Sequence, residues 1–126
     1  MPKKPNVPKR NIQQKMLARR IKNLEGEELR HEGAILFGAF VKKNGLKKKF
    51  ETGISEKKLN EIAVDFFDEI NHSLKGADSL DVELYLKELR QFVIKYAFSN
   101  FSKSHSMFKF CELVQKKIVQ LKSHWS

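Results

Sequence analysis

Residues 107–125, MFKFCELVQKKIVQLKSHW, decide the fold class because their apolar side chains recur at helical spacing. Successive steps of 4, 3, 4, 3 and 4 residues place these side chains along one face of a helix. The resulting seam consists of Met107, Cys111, Val114, Ile118, Leu121 and Trp125. Bundle helices bury one such seam against their neighbours. The segment therefore predicts a packed helix.

Two segments before it carry the same kind of pattern. Ser55 is suited to cap a helix that stops at Gly76, and Ser79 and Asp81 are suited to cap the next one. Their apolar stripes are Leu59, Ile62, Ala63, Phe66, Ile70 and Leu74, and then Val82, Leu86, Leu89, Val93 and Tyr96. The stretch 99–106 breaks the pattern, so these are separate helices.

The N-terminal half is less regular. Asn11 is suited to cap a basic amphipathic helix that runs to about Leu24. A second helix is predicted over about 27–43, and its GAILFGAFV stretch is apolar all round, which predicts burial on every side. Its small residues, Gly33, Ala34, Gly38 and Ala39, leave notches that permit close helix contact. Asn44-Gly45 should end this helix, because both tolerate the left-handed C-cap conformation. Residues 46–54, LKKKFETGI, are interpreted as a basic loop.

These patterns predict an all-α protein, a small helical bundle of about four to five helices. Residues 1–10 contain all three prolines and are expected to be a flexible basic arm, and residues 11–126 a single α-helical domain. The longest apolar run, Gly33 to Val41, is far below the roughly 20 residues of a membrane span. No apolar stretch follows the basic N-terminus, and the chain has one cysteine, so we expect no signal peptide and a cytoplasmic location.

The positive charge of the chain lies in its first 50 residues. The net charge is +10, and residues 1–50 hold 14 Lys or Arg against four acids, whereas residues 51–126 hold 11 of each. Such an asymmetry predicts partners rather than a fold. Binding of Lys and Arg to phosphates releases counterions from a nucleic acid, which favours sequence-independent contact.

The predicted function is therefore nucleic-acid binding through phosphate contacts, to DNA in preference to RNA. The candidate contact residues are Lys3, Lys4, Lys9, Arg10, Lys15, Arg19, Arg20, Lys22, Lys42, Lys43, Lys47, Lys48 and Lys49. Arg19 and Arg20 offer planar forks for phosphates or guanine edges, whereas the lysines suit backbone contact. The aromatic residues that stack RNA bases fall mostly on predicted core faces, which favours duplex DNA.

Three alternatives remain open. The main one is a protein-interaction or adaptor module whose basic arm docks on an acidic partner. A second is an anionic membrane surface, although the first helix has no Trp or Phe to anchor it. The third is an enzyme, although an active site is unsupported by the sequence patterns. A helix-turn-helix in residues 55–98 is also considered, but its second helix begins with acids, so we interpret this segment as a packing scaffold or partner surface and not as the DNA reader. The helices of residues 80–125 are also a candidate surface for a homodimer or a protein partner.

Catalytic and metal-binding patterns are weak. The histidines at 31, 72, 105 and 124 include no pair at i, i+4 spacing, and Cys111 lies on an apolar face where a nucleophile would be inert. Asp65, Asp68 and Glu69 are interpreted as a solvated acidic face rather than a Mg²⁺ site. We therefore predict no enzyme activity, no metal and no cofactor.

Residues 20–46, RIKNLEGEELRHEGAILFGAFVKKNGL, resemble the TraD family of small conjugal-transfer auxiliary proteins. That family combines a basic helix starting R-I-x-x-L-E with an apolar helix of the L-G-A-x-V type that ends in K-x-G-L. The matching residues are Arg20, Ile21, Leu24, Glu25, Gly38, Ala39, Val41, Lys43, Gly45 and Leu46. The dense Arg/Lys run of the family is replaced by ELRHE at 28–32. The resemblance implies a nonenzymatic accessory to DNA mobilisation or conjugation that works near a relaxase.

Overall fold

The computed structural model describes the backbone of residues 17–125 and the side chains of residues 17–121. A short helical segment at 17–20 precedes five helices. These are α1 (Gly26–Lys43), α2 (Leu46–Glu51), α3 (Glu56–Ser73), α4 (Ser79–Asn100) and α5 (Ser106–Trp125). No strand occurs within residues 17–125, so the prediction of an all-α helical bundle is confirmed.

The helices α1 and α4 pack side by side in the same direction. Near the start of the contact, the Arg30 guanidinium donates to Glu88 Oε1 at 3.0 Å. Further along, the ring centroids of Phe37 and Tyr96 are 5.6 Å apart. The residue numbers of the contacting pairs increase in the same direction along both helices, so the two helices are parallel. Such a pairing needs a long crossover, which α2 and α3 supply.

The helix α5 closes the bundle by packing against α3 and α4. It runs antiparallel to α4, because Arg90 Nε donates to Gln115 Oε1 at 3.0 Å, while the rings of Phe98 and Phe108 lie 5.0 Å apart. The seam predicted from Met107 onward is buried inside the chain up to Ile118. These residues therefore serve intramolecular packing and are not available as an oligomer face.

Phe110 is the centre of an aromatic core that joins four helices. Its ring centroid lies within 5.5–6.5 Å of four others. These rings belong to Phe37, Phe40, Phe50 and Phe66. Such aromatic pairs add roughly 0.5–1.5 kcal/mol each beyond the area they bury. Phe110 lay outside the predicted seam, so the sequence pattern underestimated how much of α5 is buried.

The structure corrects three predictions about the N-terminal half. The first helix does not continue to Leu24, because Asn23 takes a left-handed φ of 68° and breaks it; its predicted cap, Asn11, lies outside the described residues. The α1 helix is not buried all round, since Ile35 is 47% exposed. The predicted basic loop at 46–54 is mostly helix, because Leu46 and Phe50 are i, i+4 neighbours and both are buried.

Several predicted helix ends are confirmed. Ser55 caps α3, with its hydroxyl accepting from the Lys58 backbone N–H at 3.2 Å. Asn44 caps the end of α1, and Gly45 follows it at a left-handed φ of 60°. Gly76, at φ 86°, allows the turn between α3 and α4. One cap differs from the prediction, because Asp78, and not Ser79 or Asp81, holds the N-cap position of α4.

Candidate nucleic-acid interface

The predicted contact residues that the structure describes fall into two groups at opposite ends of α1. Arg19, Arg20 and Lys22 precede this helix, whereas the second group begins at Lys42. Eighteen residues at 1.5 Å each separate the two ends by about 27 Å. The other five predicted residues, Lys3, Lys4, Lys9, Arg10 and Lys15, lie outside the described part of the chain. The described basic residues therefore do not form one continuous face.

The first group lies next to acidic side chains. Arg19 and Lys22 share a small cleft of about 100 Å³ with Asp78 and Asp81, at the start of α4. Opposite charges this close reduce the local positive potential. This end of α1 is therefore a poorer phosphate surface than its sequence suggested.

Arg20 contributes to the packing of the bundle. Its Nε donates to Glu32 Oε1 at 2.9 Å. The Tyr85 hydroxyl is buried near this ion pair and has no hydrogen-bond partner among the described residues. Burial raises the pKa of Tyr85 most, the Glu32 carboxylate raises it further, and Arg20 lowers it. Arg20 thus positions α1 and is less free to contact a phosphate.

The second group forms a compact surface that we term the lysine corner: Lys42, Lys43, Lys47, Lys48 and Lys49. The Asn44-Gly45 turn folds α2 back against α1, and burial of Leu46 and Phe50 turns the lysines between them outward. All five lysines are exposed.

One lysine of the corner is paired. Lys43 Nζ lies 3.4 Å from Glu69 Oε1. Within residues 17–121 no carboxylate comes within salt-bridge distance of the other four lysines. The lysine corner is therefore a local excess of positive charge, unlike the first group.

An apolar cavity of about 610 Å³ opens beside the lysine corner, between α1, α2 and α4. Phe37 and Val41, both buried, line it from α1, and Phe92 and Tyr96 line it from α4. Lys42, Lys47 and Lys48 also line it. Positive charge and apolar surface thus meet at one site.

Two of the weaker candidates, Cys111 and His105, lie at the beginning of α5. Burial raises the pKa of the Cys111 thiol to about 12, so the thiol stays protonated at neutral pH. His105 Nδ1 accepts from the Met107 backbone N–H at 3.0 Å and so helps to begin α5. Across the described residues, no cluster of three or more His, Cys, Asp or Glu is placed to hold a metal ion.

Comparison of the chain with protein-family models, curated proteins and solved structures finds no match. Among the helices of residues 17–125, none combines the length and the apolar character needed to cross a bilayer.

Two features of the site were not predicted from the sequence. The α2 helix has a signal, the i, i+4 pair of Leu46 and Phe50, but its three consecutive lysines dominated the pattern. The cavity has no local signal, because its walls come from α1 and α4, which are far apart in the sequence.

Proposed function

We propose that the protein is a nonenzymatic nucleic-acid-binding accessory, with duplex DNA its preferred ligand, and that the lysine corner is its main described contact surface. The observation that supports this is a group of four exposed lysines that have no salt bridge to any carboxylate within residues 17–121: Lys42, Lys47, Lys48 and Lys49. The resemblance of residues 20–46 to the TraD family extends the proposal to an accessory role in DNA mobilisation in the cytoplasm.

Helix stabilisation explains only part of the corner. Lys42 and Lys43 lie in the last turn of α1, where cations contribute roughly 0.3–1 kcal/mol each by interacting with the helix dipole. Lys47 lies in the first turn of α2, where the dipole favours acids, and that turn contains none. The dipole of α2 therefore gives no reason for a lysine at this position.

The proposal gives a quantitative salt dependence. On duplex DNA, the logarithm of the binding constant falls with the logarithm of salt concentration, with a slope of about −0.9 per neutralised phosphate. Four lysines that each contact a phosphate therefore supply a slope of about −3.6. Any contact from residues 1–16 adds to this value.

The test measures fluorescence anisotropy of a labelled duplex of about 25 base pairs over about 50–200 mM salt. The test variant replaces Lys42, Lys47, Lys48 and Lys49 with alanine. The matched control replaces four exposed lysines elsewhere, Lys57, Lys75, Lys87 and Lys109, and so removes the same charge. We expect the corner variant to lose about three to four units of slope, and the control to lose less than one.

Equal losses of slope in the corner variant and the control contradict the proposal, because they would mean that binding depends only on the net charge of the protein. Binding to a labelled single-stranded RNA, measured in parallel, tests the preference for DNA. Displacement of the duplex by poly-glutamate at lower concentration than by unlabelled duplex favours the acidic-protein alternative.

A further inference from the structure

The apolar cavity beside the lysine corner has the build of a ligand site. Its volume of about 610 Å³ lies within the range of roughly 300–1,000 Å³ that is usual for small-molecule pockets. The wall side chains of Phe37, Val41 and Phe92 are wholly apolar, and Tyr96 adds one hydroxyl. Among the residues that line the cavity, only the lysines carry a charge. The site is therefore amphipathic, with an apolar interior and a cationic edge.

A glycine keeps the cavity open. Gly38 lines it from α1, and a Cβ placed on Gly38 would have no atom within 4 Å. The backbone of Gly38 is ordinary helix, so neither a positive φ nor close packing requires a glycine there. The missing side chain leaves space that a larger residue would fill.

The arrangement of the rings favours an aliphatic ligand over a nucleobase. Phe92 and Tyr96 stack on each other, with centroids 5.9 Å apart and planes at 17°, and Phe37 meets both of them edge-on. A base would also carry several polar edge atoms into walls that offer almost no partners, which is unfavourable. An acyl chain carries no polar atoms along its length and meets no such penalty.

The lysines at the edge select the charge of the head group. Lys42, Lys47 and Lys48 have apolar stems that can lie along the cavity while their ammonium groups reach solvent. No described carboxylate forms a salt bridge with any of the three. An anionic head beside them gains attraction from all three charges, whereas a cationic head is repelled.

We propose that this cavity binds a single-chain amphipathic anion, with its acyl chain against Phe37 and Phe92 and its carboxylate or phosphate head at Lys42, Lys47 and Lys48. The site does not depend on nucleic-acid binding, although both ligands use these three lysines. An acyl anion in the cavity would therefore compete with a nucleic acid at the lysine corner.

The experiment is calorimetric titration of the full chain, without nucleic acid, with four probes below their micelle concentrations: dodecanoate, dodecyl phosphate, dodecyltrimethylammonium and acetate. We expect the two long-chain anions to bind at one site, and the cation and acetate to bind at least tenfold more weakly. The two anions share the required chemistry, and the tighter one indicates whether a free fatty acid or a lipid phosphate is the source.

The decisive variant is Gly38→Leu, which places a branched apolar side chain in the cavity, narrows it and leaves every lysine in place. Each methylene that loses its burial weakens binding about fourfold, so we expect a loss of at least tenfold. Ala39→Leu is the matched control, because Ala39 is exposed on the same helix and does not line the cavity. It should bind within about twofold of the wild type, and urea unfolding verifies that both variants fold.

A second pair of variants lies on the surface and does not depend on the packing at Gly38. Lys47→Ala/Lys48→Ala should weaken dodecanoate binding about tenfold, whereas Lys49→Ala, which does not line the cavity, should leave it unchanged. The proposal is overturned if Gly38→Leu binds dodecanoate as tightly as Ala39→Leu, or if the cationic probe binds as well as the anions. If Gly38→Leu loses dodecanoate binding but still binds DNA, the acyl-anion site is distinct from the proposed nucleic-acid function.

Discussion

Two glycines of α1 should respond in opposite directions to the same substitution. Gly33 and Gly38 are five residues apart, so they point about 140° away from each other around the helix. A Cβ on Gly33 would lie 3.2 Å from both Cα and Cδ1 of Leu89 on α4. A Cβ on Gly38 would meet nothing within 4 Å. Alanine should therefore destabilise the protein at the first position and stabilise it at the second.

The size of the effect follows from two opposing contributions. Alanine is favoured over glycine inside a helix by roughly 0.8–1 kcal/mol, which applies at both positions. At Gly33 the added methyl group crowds a backbone atom of Leu89 that no side-chain rotation can move. Such overpacking costs typically 1–3 kcal/mol. We expect Gly33→Ala to lose about 1 kcal/mol and Gly38→Ala to gain about 0.8–1 kcal/mol, a difference of roughly 2 kcal/mol.

Urea unfolding followed by circular dichroism measures both variants against the wild type. The midpoints should move in opposite directions while the slope of free energy against urea stays constant, since the surface exposed on unfolding is unchanged. Thermal midpoints should shift by roughly 3–6 °C per kcal/mol for a domain of this size. If Gly33→Ala stabilises the protein as much as Gly38→Ala does, the close approach of Leu89 on α4 to Gly33 is refuted.

Three further substitutions test other parts of the fold by the same urea measurement. Tyr85→Phe should leave stability unchanged or raise it by up to about 1 kcal/mol, because the buried hydroxyl has no partner among the described residues; a loss above 1 kcal/mol would reveal one. Ser55→Ala should cost about 1 kcal/mol by removing the α3 cap, and Ser79→Ala, which removes no observed cap, is its control. Burial raises the pKa of the Cys111 thiol from 9.0 to about 12. The unfolded chain therefore loses this proton at lower pH than the folded protein, and the free energy of unfolding should fall between pH 9 and pH 12. The fall should be shallower in Cys111→Ala, and an equal fall in both proteins contradicts the assignment.

The parts of the fold that sequence predicted well are those with a local cause. The helices after Ser55 combine one apolar stripe with a cap or a glycine stop, and both signals are contained within about 20 residues. The failures at Ile35 and at residues 46–54 have a common origin. In both places the pattern showed which residues are apolar or charged, but only the tertiary fold decides which face is covered.

The candidate site also has one part that the sequence predicts and another that only the tertiary fold determines. The sequence identified the charge of Lys42 to Lys49, which is a matter of composition. It did not reveal that Arg20 pairs with Glu32 or that Arg19 lies near Asp78, because those partners come from other helices. The DNA proposal stays a prediction that the binding measurements will decide, and the resemblance to the TraD family stays a prediction.

The parallel pairing of α1 with α4 has a consequence for how the chain matures during synthesis. Arg30 and its partner Glu88 are 58 positions apart, so the first long helix leaves the ribosome well before the helix that covers it. At roughly 5–20 residues per second, that interval is about 3–12 s. During this time Phe37 lacks the rings of Phe92 and Tyr96 on α4, against which it packs in the folded protein. A nascent chain stalled before α4 should therefore bind chaperones and be cut readily by proteases, and a peptide of residues 1–50 alone should not reproduce the lysine corner.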